Sequence, residues 1–293
     1  MTFAKAPVLQ HRLAFIAISY TDKYDGISVY IENLLSEILS RHSNIKIDIF
    51  CASQVIELLK SRVNFDETMH IHIHFIPIYD KSMLWKIFDT TKKLFLNRSY
   101  DLIFLPNPIP LPFTFGKTLH VIHDLSYKVV PDYHSSKTII YANLLLRMSF
   151  LRDKTVGYIS NTTRNDLNRF FHINKKKKEL IYLPNGLPFK VTKFKRPNNF
   201  DRDDKFSSDI LILLVVGRIN KHKGFDRILE FCNYYEKDAQ NFLFKKAVLH
   251  VVGKQTDETK ALIRNSNFHH IEIIFHGFTD DQTLNKIYMQ AQF

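Results

Sequence analysis

Two cations flank a short loop in the second half of the chain. Arg218 follows Gly217, Lys223 precedes Gly224, and residues 219–222 separate the cations. Arginine and lysine held beside glycines are suited to binding the negative charge of a phosphate or diphosphate. A loop whose cations are simply solvated is the alternative interpretation of this motif alone.

The residues on either side of this loop predict elements that would position it. The unbroken apolar run 210–216 is typical of a strand that is buried on both faces of a parallel sheet. After Gly224, the apolar residues Phe225, Ile228 and Leu229 recur at helical spacing. In open α/β sheets, ligands bind at the carboxyl ends of strands, where helix N-termini present free N–H groups. The cations are therefore expected at a ligand-binding edge.

A histidine in the first half is a second candidate for chemistry. Residues 118–125 are predicted to form a strand that ends in His123 and Asp124. A histidine at the carboxyl end of a strand is well placed for substrate contact or proton transfer. A structural histidine with satisfied hydrogen bonds is the alternative.

Three further histidines alternate along the predicted strand 70–76. His70, His72 and His74 would lie on one face of that strand. Such a set could bind a metal, but the sequence positions no acidic or cysteine partner beside it. A half-exposed strand is the preferred interpretation, and no metal site is predicted.

Composition limits the classes of protein that need consideration. The 293 residues are enough for about two domains, and the net charge is +12. Such a surface attracts polyanions, but the sequence shows no RNA-recognition signature, zinc-finger spacing or helix-turn-helix pattern. With eight glycines and no Gly-x-Gly-x-x-Gly, a nicotinamide enzyme is disfavoured. Nucleic acid is therefore not expected as a partner.

The apolar runs, the N-terminal residues and the two cysteines together predict a cytoplasmic location. No apolar run reaches the 18 residues of a membrane span, and the N-terminus lacks the plan of a signal peptide. The two cysteines, Cys51 and Cys232, lie far apart without metal-ligand spacing, which fits a reducing compartment.

Residues 81–98 combine aromatic and basic residues in a predicted amphipathic helix. Trp85 and Phe88 alternate there with lysines such as Lys86 and Lys92. A helix of this kind can lie on an anionic membrane, which makes this segment a candidate peripheral contact on the inner face of the cell membrane. A helix packed on the sheet with its lysines in water is the simpler interpretation.

The order of predicted elements indicates an α/β protein. Strands and helices alternate from residue 12 to residue 188, a polar linker covers 189–208, and a second set of units begins at 209. We predict two Rossmann-like, doubly wound domains, at 1–188 and 209–293, of which the second is incomplete.

These motifs resemble those of retaining glycosyltransferases of family 4 (glycosyl transferases group 1), which have the GT-B fold. The resemblance rests on the Gly217–Gly224 loop, on His123-Asp124-Leu125-Ser126, on Asn185-Gly186 after a strand, and on Gly253 after another. Weaker support comes from Asp25-Gly26-Ile27, where the family usually has two glycines.

The resemblance implies roles for these residues. Arg218 and Lys223 would hold the diphosphate of the donor and assist catalysis, and His123 would contact the transferred sugar. Gly26 would let the backbone approach the phosphates, and Gly217 and Gly253 would lie in the nucleotide site. Asn185 and Gly186 would lie at the cleft.

The implied reaction transfers a sugar from a UDP- or GDP-linked donor with retention, without a metal or another cofactor. The implied acceptor is a glycan, expected to be lipid-linked, in the synthesis of bacterial surface polysaccharide or lipopolysaccharide.

One departure from the family keeps other functions open. The family's second domain continues with two glutamates eight positions apart, and residues 209–293 contain no such pair. We therefore expect a chain that is truncated relative to the family and inactive in that form if nothing replaces the segment. The alternatives are a non-catalytic partner or binding subunit derived from this fold, and a basic nucleic-acid-binding protein.

Overall fold

The computed structural model describes residues 11–23, 25–41, 45–67, 72–97, 99–107, 109–111, 113–173, 178–185, 210–220, 223–264 and 268–292. The chain divides into two compact units, Met1–Phe194 and Lys195–Phe293. Each unit contains a parallel sheet with helices, so the predicted α/β class is confirmed. The predicted linker 189–208 lies outside the described residues, and its boundaries stay predictions.

The first unit is built on a seven-stranded parallel sheet in the order β3-β2-β1-β4-β5-β6-β7. The order reverses direction between β1 and β4, which is the switch point where open sheets of this kind bind ligands. The strands are β1 His11–Ile16, β2 Ile45–Ala52, β3 Ile73–Ile78, β4 Leu102–Leu105, β5 Thr118–Ile122, β6 Thr155–Tyr158 and β7 Glu179–Tyr182.

In the described part of this unit, six α-helices lie between or beside these strands, and they cover both faces of the sheet. They are α1 Gly26–Arg41, α2 Ile56–Arg62, α3 Met83–Leu96, α4 Ser126–Val129, α5 Ser136–Arg152 and α6 Asn161–Phe171. Side chains of α1 and α2 pack with Phe15, Phe104 and Val121 on one face. Helices α3, α5 and α6 pack on the opposite face of the sheet. Leu105 of β4 and Ile122 of β5, each next in sequence to a residue of the first face, point to these helices.

The second unit contains three parallel strands in the order β10-β9-β8. Helix α7 begins directly after the cationic loop, so this part has the predicted strand–loop–helix arrangement. The elements are β8 Ile210–Val216, α7 Phe225–Asp238, β9 Lys246–Val252, α8 Asp257–Arg264, β10 Ile271–Gly277 and α9 Asp281–Gln290.

The prediction that β8 is buried on both faces is wrong. Leu211, Leu213 and Val215 pack with the core that α7 covers. On the other face, Ile210 and Val216 are exposed. Ile212 and Leu214, between them on the same face, are half-buried. That face is therefore covered in the middle of the strand and exposed at its two ends.

Two strand boundaries also differ from the predictions. Strand β5 ends at Ile122, so His123 is the first residue of the following loop and not the last part of the strand. Strand β3 begins at Ile73, while His72 lies in a turn and His70 lies outside the described residues. The described helices include none that is both long enough and apolar enough to cross a membrane.

Candidate functional site

His123 is held at the carboxyl edge of the first sheet by three neighbouring elements. Its Nε2 lies 3.0 Å from the carbonyl oxygen of Pro106, in the loop after β4. Its ring packs edge-on against Tyr30 of α1, with 4.8 Å between the ring centroids. The hydroxyl of Thr163, in α6, donates to the carbonyl oxygen of His123 at 2.8 Å. The side chain therefore has a fixed position beside the switch point.

The contact with Pro106 also sets the protonation of the ring. A carbonyl oxygen can only accept a hydrogen bond, so Nε2 must carry the proton that it donates. Burial lowers the pKa of His123, and the hydrogen bond to Pro106 offsets this only partly. The ring is therefore neutral at pH 7, and Nδ1 carries the lone pair. A neutral imidazole of this tautomer can accept a proton or a hydrogen bond from a hydroxyl group through Nδ1.

Asn107 and His120 support this arrangement, and sequence analysis did not identify either residue. The amide of Asn107 donates to the carbonyl oxygen of Ile16 at 2.6 Å, which ties the loop after β4 to the end of β1. Nε2 of His120 lies 3.1 Å from the carbonyl oxygen of Asn107. His120 and His123 thus hold successive carbonyls of one loop. The signal for His120 was its inward position in an otherwise apolar strand.

Gly26 is the first residue of α1, and the space around it is open. Asp25 caps this helix, because its Oδ1 accepts from the backbone N–H of Ser28 at 2.8 Å. A Cβ added at Gly26 would meet no atom within 4 Å. The structure therefore shows room for a ligand at this position but does not itself require glycine there.

In the second unit, glycines follow or end all three strands at the carboxyl edge. Gly217, Gly253 and Gly277 all have positive φ angles, of 134°, 139° and 65°. The N–H of Gly217 donates to Val252 at 2.9 Å, and the N–H of Gly253 donates to Gly277 at 2.7 Å. This edge is therefore lined by backbone atoms, which leaves space for a ligand to approach closely.

The loop that holds Arg218 and Lys223 is anchored by its other residues. Ile219 is buried, its N–H donates to Lys254 at 3.0 Å, and its carbonyl accepts from Thr259 at 3.0 Å. The N–H of Lys223 donates to the Oδ1 of Asn220 at 3.0 Å. Both cationic side chains are exposed at the start of α7. An anchored backbone with free cations is suited to binding an anion.

The remaining predicted site residues are placed as follows. Gly217 and Gly253 lie side by side in the second unit, next to Arg218. Asn185 is exposed three residues after β7, two strands along from β5, and Gly186 lies outside the described residues. Residues His123, Gly26 and Asn185 belong to the first unit, and Arg218, Lys223 and the two strand-end glycines belong to the second.

His74, the histidine of the predicted set that lies in β3, faces a carboxylate. Nδ1 of His74 lies 3.3 Å from Oδ1 of Asp48, its direct partner in the neighbouring strand. Across the described ranges, no three His, Cys, Asp or Glu side chains converge as metal ligands.

Comparison with known proteins relates the second unit to a family. Residues 197–293 match the model of the family described as Glycosyl transferases group 1. A comparison with curated protein sequences gives no match.

Solved structures with the same fold extend over both units. WaaG, a glycosyltransferase involved in lipopolysaccharide biosynthesis, aligns over 92% of this chain and 71% of its own, with 14% identity and a TM-score of 0.59. TarM aligns over 97% of this chain and 80% of its own, with 9% identity and a TM-score of 0.58. The complex of MnaA from S. aureus with UDP aligns over 97% and 73%, with 11% identity and a TM-score of 0.50.

At these identities the structural likeness shows the fold alone, which is the α/β fold of GT-B glycosyltransferase neighbours. The family match adds an independent observation for residues 197–293, which contain Arg218 and Lys223. Together, the family match over residues 197–293 and the fold support a glycosyltransferase.

Proposed function

We propose that this chain binds a nucleotide-sugar and transfers its sugar to a glycan acceptor. The observation that carries the proposal is the glycine-lined edge of the second unit with exposed Arg218 and Lys223 beside it. The edge lies within the family match, and it combines two requirements of a diphosphate site, close backbone approach and neighbouring positive charge.

Arg218 and Lys223 would stabilise the charge that develops on the departing nucleoside diphosphate. Positive groups that are already in place cost no reorganisation when the bond to the sugar breaks. Asp226 adds one negative charge in the first turn of α7. The net attraction for an anion therefore depends on both cations, and removing either should weaken binding.

His123 would bind a hydroxyl group of a sugar through Nδ1. This role follows from the tautomer that Pro106 imposes and from the lowered pKa, which together keep Nδ1 an acceptor at neutral pH. Gly26, Asn185 and Gly186 would border the bound substrates. Transfer with retention, UDP or GDP as the donor nucleotide, and independence of a metal complete the proposal.

The proposed acceptor is lipid-linked, in the synthesis of a bacterial surface polysaccharide or lipopolysaccharide in the cytoplasm. The similarity to WaaG, which is described as acting in lipopolysaccharide biosynthesis, supports this class of product. A peripheral contact of residues 81–98 with the inner face of the membrane is part of the proposal, because a lipid-linked acceptor must be reached at that surface.

A calorimetric binding panel tests the donor site. The purified chain is titrated with UDP, GDP, ADP and their sugar conjugates, alongside the variants Arg218→Ala and Lys223→Ala. We expect saturable binding to one nucleotide, weakened about tenfold or more by each substitution, since a charge-assisted hydrogen bond contributes about 1.5–3 kcal/mol.

Lys237→Ala is the matched control, because Lys237 is an exposed cation in the last turn of α7, at the opposite end of that helix from Arg218 and Lys223. It should bind the nucleotide like the unsubstituted chain. Equal weakening by all three substitutions would indicate general charge attraction and contradict a specific diphosphate site. Binding that survives the loss of Arg218 and Lys223 would contradict it as well.

A further inference from the structure

Helix α3 presents most of its large apolar residues to solvent, although Leu94 packs in the core, and it turns several polar residues toward the protein. Leu84, Trp85, Phe88 and Phe95 are exposed, and Phe88 keeps 60% of its surface accessible. A surface helix of a soluble protein normally has the opposite arrangement. Its outward face therefore has the composition of an interface.

The lysines of α3 explain how this orientation is maintained. Lys86 is buried and forms an ion pair with Asp80 at 2.8 Å. Lys93 forms an ion pair with Asp89 at 2.8 Å, and its Nζ donates to the carbonyl oxygen of Pro77 at 2.5 Å. These contacts hold the basic side of the helix against the end of β3. The interpretation of a helix with its lysines in water is wrong for these two residues, and Lys92 is the lysine of α3 that is exposed.

Helix α5, on the same face of the sheet, repeats the pattern. Ile140, Tyr141, Leu144 and Leu151 are exposed, and Leu151 keeps 81% of its surface accessible. Leu146 and Phe150 face the core instead. The sequence of α5 does not resemble an amphipathic helix, so this surface is visible only in the structure.

The loop after β4 joins the two helices into one surface. Phe115 packs edge-on against Phe95 of α3, with 5.3 Å between ring centroids. At the other side of the loop, Nη1 of Arg152, the last residue of α5, donates to the carbonyl oxygen of Leu111. Phe113 and Phe115 are themselves exposed. We call the outward faces of α3 and α5, with these two phenylalanines, the outer apolar surface.

The charge around the outer apolar surface is positive. Lys92, Lys137 and Arg147 are exposed on the two helices, and Lys81 and Lys117 are exposed beside them. Helix α5 contains no acidic residue, and the single acid of α3, Asp89, is engaged with Lys93. A second copy of the chain would bring the same positive charge into contact and be repelled. Apolar side chains interspersed with cations are complementary to an anionic lipid bilayer, into which aromatic residues insert at headgroup depth.

We infer that both α3 and α5 dock on an anionic lipid surface, and that the contact extends well beyond residues 81–98. This inference rests on the proposed function for its biological purpose, because a lipid-linked acceptor lies at such a surface. Its physical basis, two outward-facing apolar helices with a basic border, is independent of any nucleotide site.

Trp85 provides a direct probe, because it is the only tryptophan of the chain and lies on this surface. The full chain is mixed with vesicles of phosphatidylcholine, with or without phosphatidylglycerol, and both tryptophan emission and co-flotation are measured. We expect a blue shift and co-flotation with the anionic vesicles, both weakened by salt. The absence of both with anionic vesicles would overturn the inference.

Two variants separate the contributions of the surface. Replacing Lys92, Lys137 and Arg147 with glutamine should weaken vesicle binding about a hundredfold, at about fivefold per cation. The matched control replaces Arg227, Lys237 and Lys286, three exposed cations of the second unit, and should leave binding unchanged. Equal losses in both triple variants would overturn the inference in favour of general charge attraction.

The contribution of α5 is tested by Leu144→Ser with Leu151→Ser, compared with Leu84→Ser with Phe88→Ser in α3. We expect each pair to weaken vesicle binding by about tenfold or more, since each buried side chain of this size contributes about 1.5–3 kcal/mol. Full vesicle binding by the α5 double variant would restrict the contact to α3 and overturn the two-helix inference.

Nucleotide titration of the same variants distinguishes a failure of this inference from a failure of the proposed function. If the proposed donor site is wrong, nucleotide binding is absent while vesicle binding remains. Self-association of the chain without lipid, with a blue shift of Trp85, would also overturn the inference.

Discussion

The backbone of Gly253 lies so close to the carbonyl oxygen of Gly217 that a Cβ atom at position 253 would overlap that oxygen. The two residues follow adjacent parallel strands, β8 and β9, and both have positive φ angles. Only glycine satisfies both constraints at position 253. The contact packs the carboxyl edge of the second sheet, next to the cationic loop.

Substituting Gly253 should therefore destabilise the second unit. Gly253→Ala adds a methyl group where backbone stands and places an alanine at a φ angle of 139°. Overpacking and backbone strain each cost about 1–3 kcal/mol, so we expect a loss of about 2–6 kcal/mol in the free energy of unfolding. Urea denaturation followed by circular dichroism measures it, and a loss below about 1 kcal/mol would contradict the packing described here.

Gly26→Ala is the informative counterpart, because a Cβ at Gly26 meets nothing within 4 Å. Alanine is preferred over glycine in a helix by about 1 kcal/mol, so this variant should be as stable as the unsubstituted chain or slightly more so. If the backbone at Gly26 approaches a phosphate, nucleotide-sugar binding should weaken while stability does not. Unchanged binding would remove Gly26 from the proposed site.

A buried ion pair in the first unit should dominate its stability in acid. Asp48 is buried and accepts hydrogen bonds from Arg12 at 2.6 Å and from Tyr100 at 2.7 Å. Burial alone would raise the pKa of Asp48, but these bonds outweigh it and the pKa is lowered. Because the unfolded pKa is about 3.9, the carboxylate stabilises the fold above that pH and the contribution is lost as the pH falls below it.

We expect Asp48→Asn to reduce the free energy of unfolding by about 3 kcal/mol at pH 7, since Arg12 loses its partner. The variant should also lose less stability than the unsubstituted chain between pH 5 and pH 3, a range set by that unfolded pKa of about 3.9. Asp101→Asn is the control, because that carboxylate is exposed. Chemical denaturation across this range measures both effects. If the free energy of unfolding of Asp48→Asn fell with pH as steeply as that of the unsubstituted chain, other carboxylates would cause the loss of stability in acid.

The sequence was sufficient where local spacing decides the structure. Apolar periodicity over residues 27–39 predicts a helix, and α1 covers Gly26–Arg41. The run 210–216 predicts β8 with the observed bounds. The pattern could not show that Asp48 stands opposite His74, because strand register is a tertiary property. For the same reason, no partner for His74 could be predicted from the sequence.

Orientation was harder to predict than secondary structure. Residues 81–98 correctly indicate a helix, but its buried side is set by Lys86 and Lys93. Asp80 and the carbonyl oxygen of Pro77, which bind them, lie outside the helix and are brought to it by the fold, whereas Asp89 lies one turn before Lys93 in the same helix. Hydrophobicity alone would have placed Trp85 inside. At the candidate site, the sequence identified His123 but not Asn107. Asn107 binds the carbonyl oxygen of Ile16 because β4 lies beside β1, and that strand order is a tertiary property.

The tautomer assigned to His123 can be measured directly. Burial lowers the pKa of His123, so its imidazole should titrate below about 6.5, the usual value for an unperturbed histidine. NMR titration of the histidine ring protons measures this, with His123→Gln used to assign the signal. Nδ1 should show the chemical shift of an unprotonated nitrogen at pH 7. A pKa above 6.5, or a proton on Nδ1, would remove the acceptor that the proposed sugar contact requires.

A histidine pair in the second unit predicts a second pH dependence. Nδ1 of His250 lies 2.8 Å from Nε2 of His276, and the rings are stacked with centroids 5.0 Å apart. One of these two nitrogens donates the hydrogen bond and the other accepts it. The two rings therefore cannot both be cationic while this contact is kept. Burial is the main cause that lowers the pKa of His250, and the nearby His276 lowers it further. His250 therefore binds a proton more readily in the unfolded chain than in the folded one.

Stability of the second unit should therefore be retained above about pH 6.5 and fall as the pH drops below it. His250→Gln keeps a side chain that can donate and accept but does not titrate, so it should flatten this fall. His269→Gln is the matched control, because His269 is an exposed histidine of the same unit and should leave the slope unchanged. Urea midpoints at pH 7 and pH 5 measure both variants. If His250→Gln kept the full slope, the histidine pair would not be the source of the acid sensitivity of this unit.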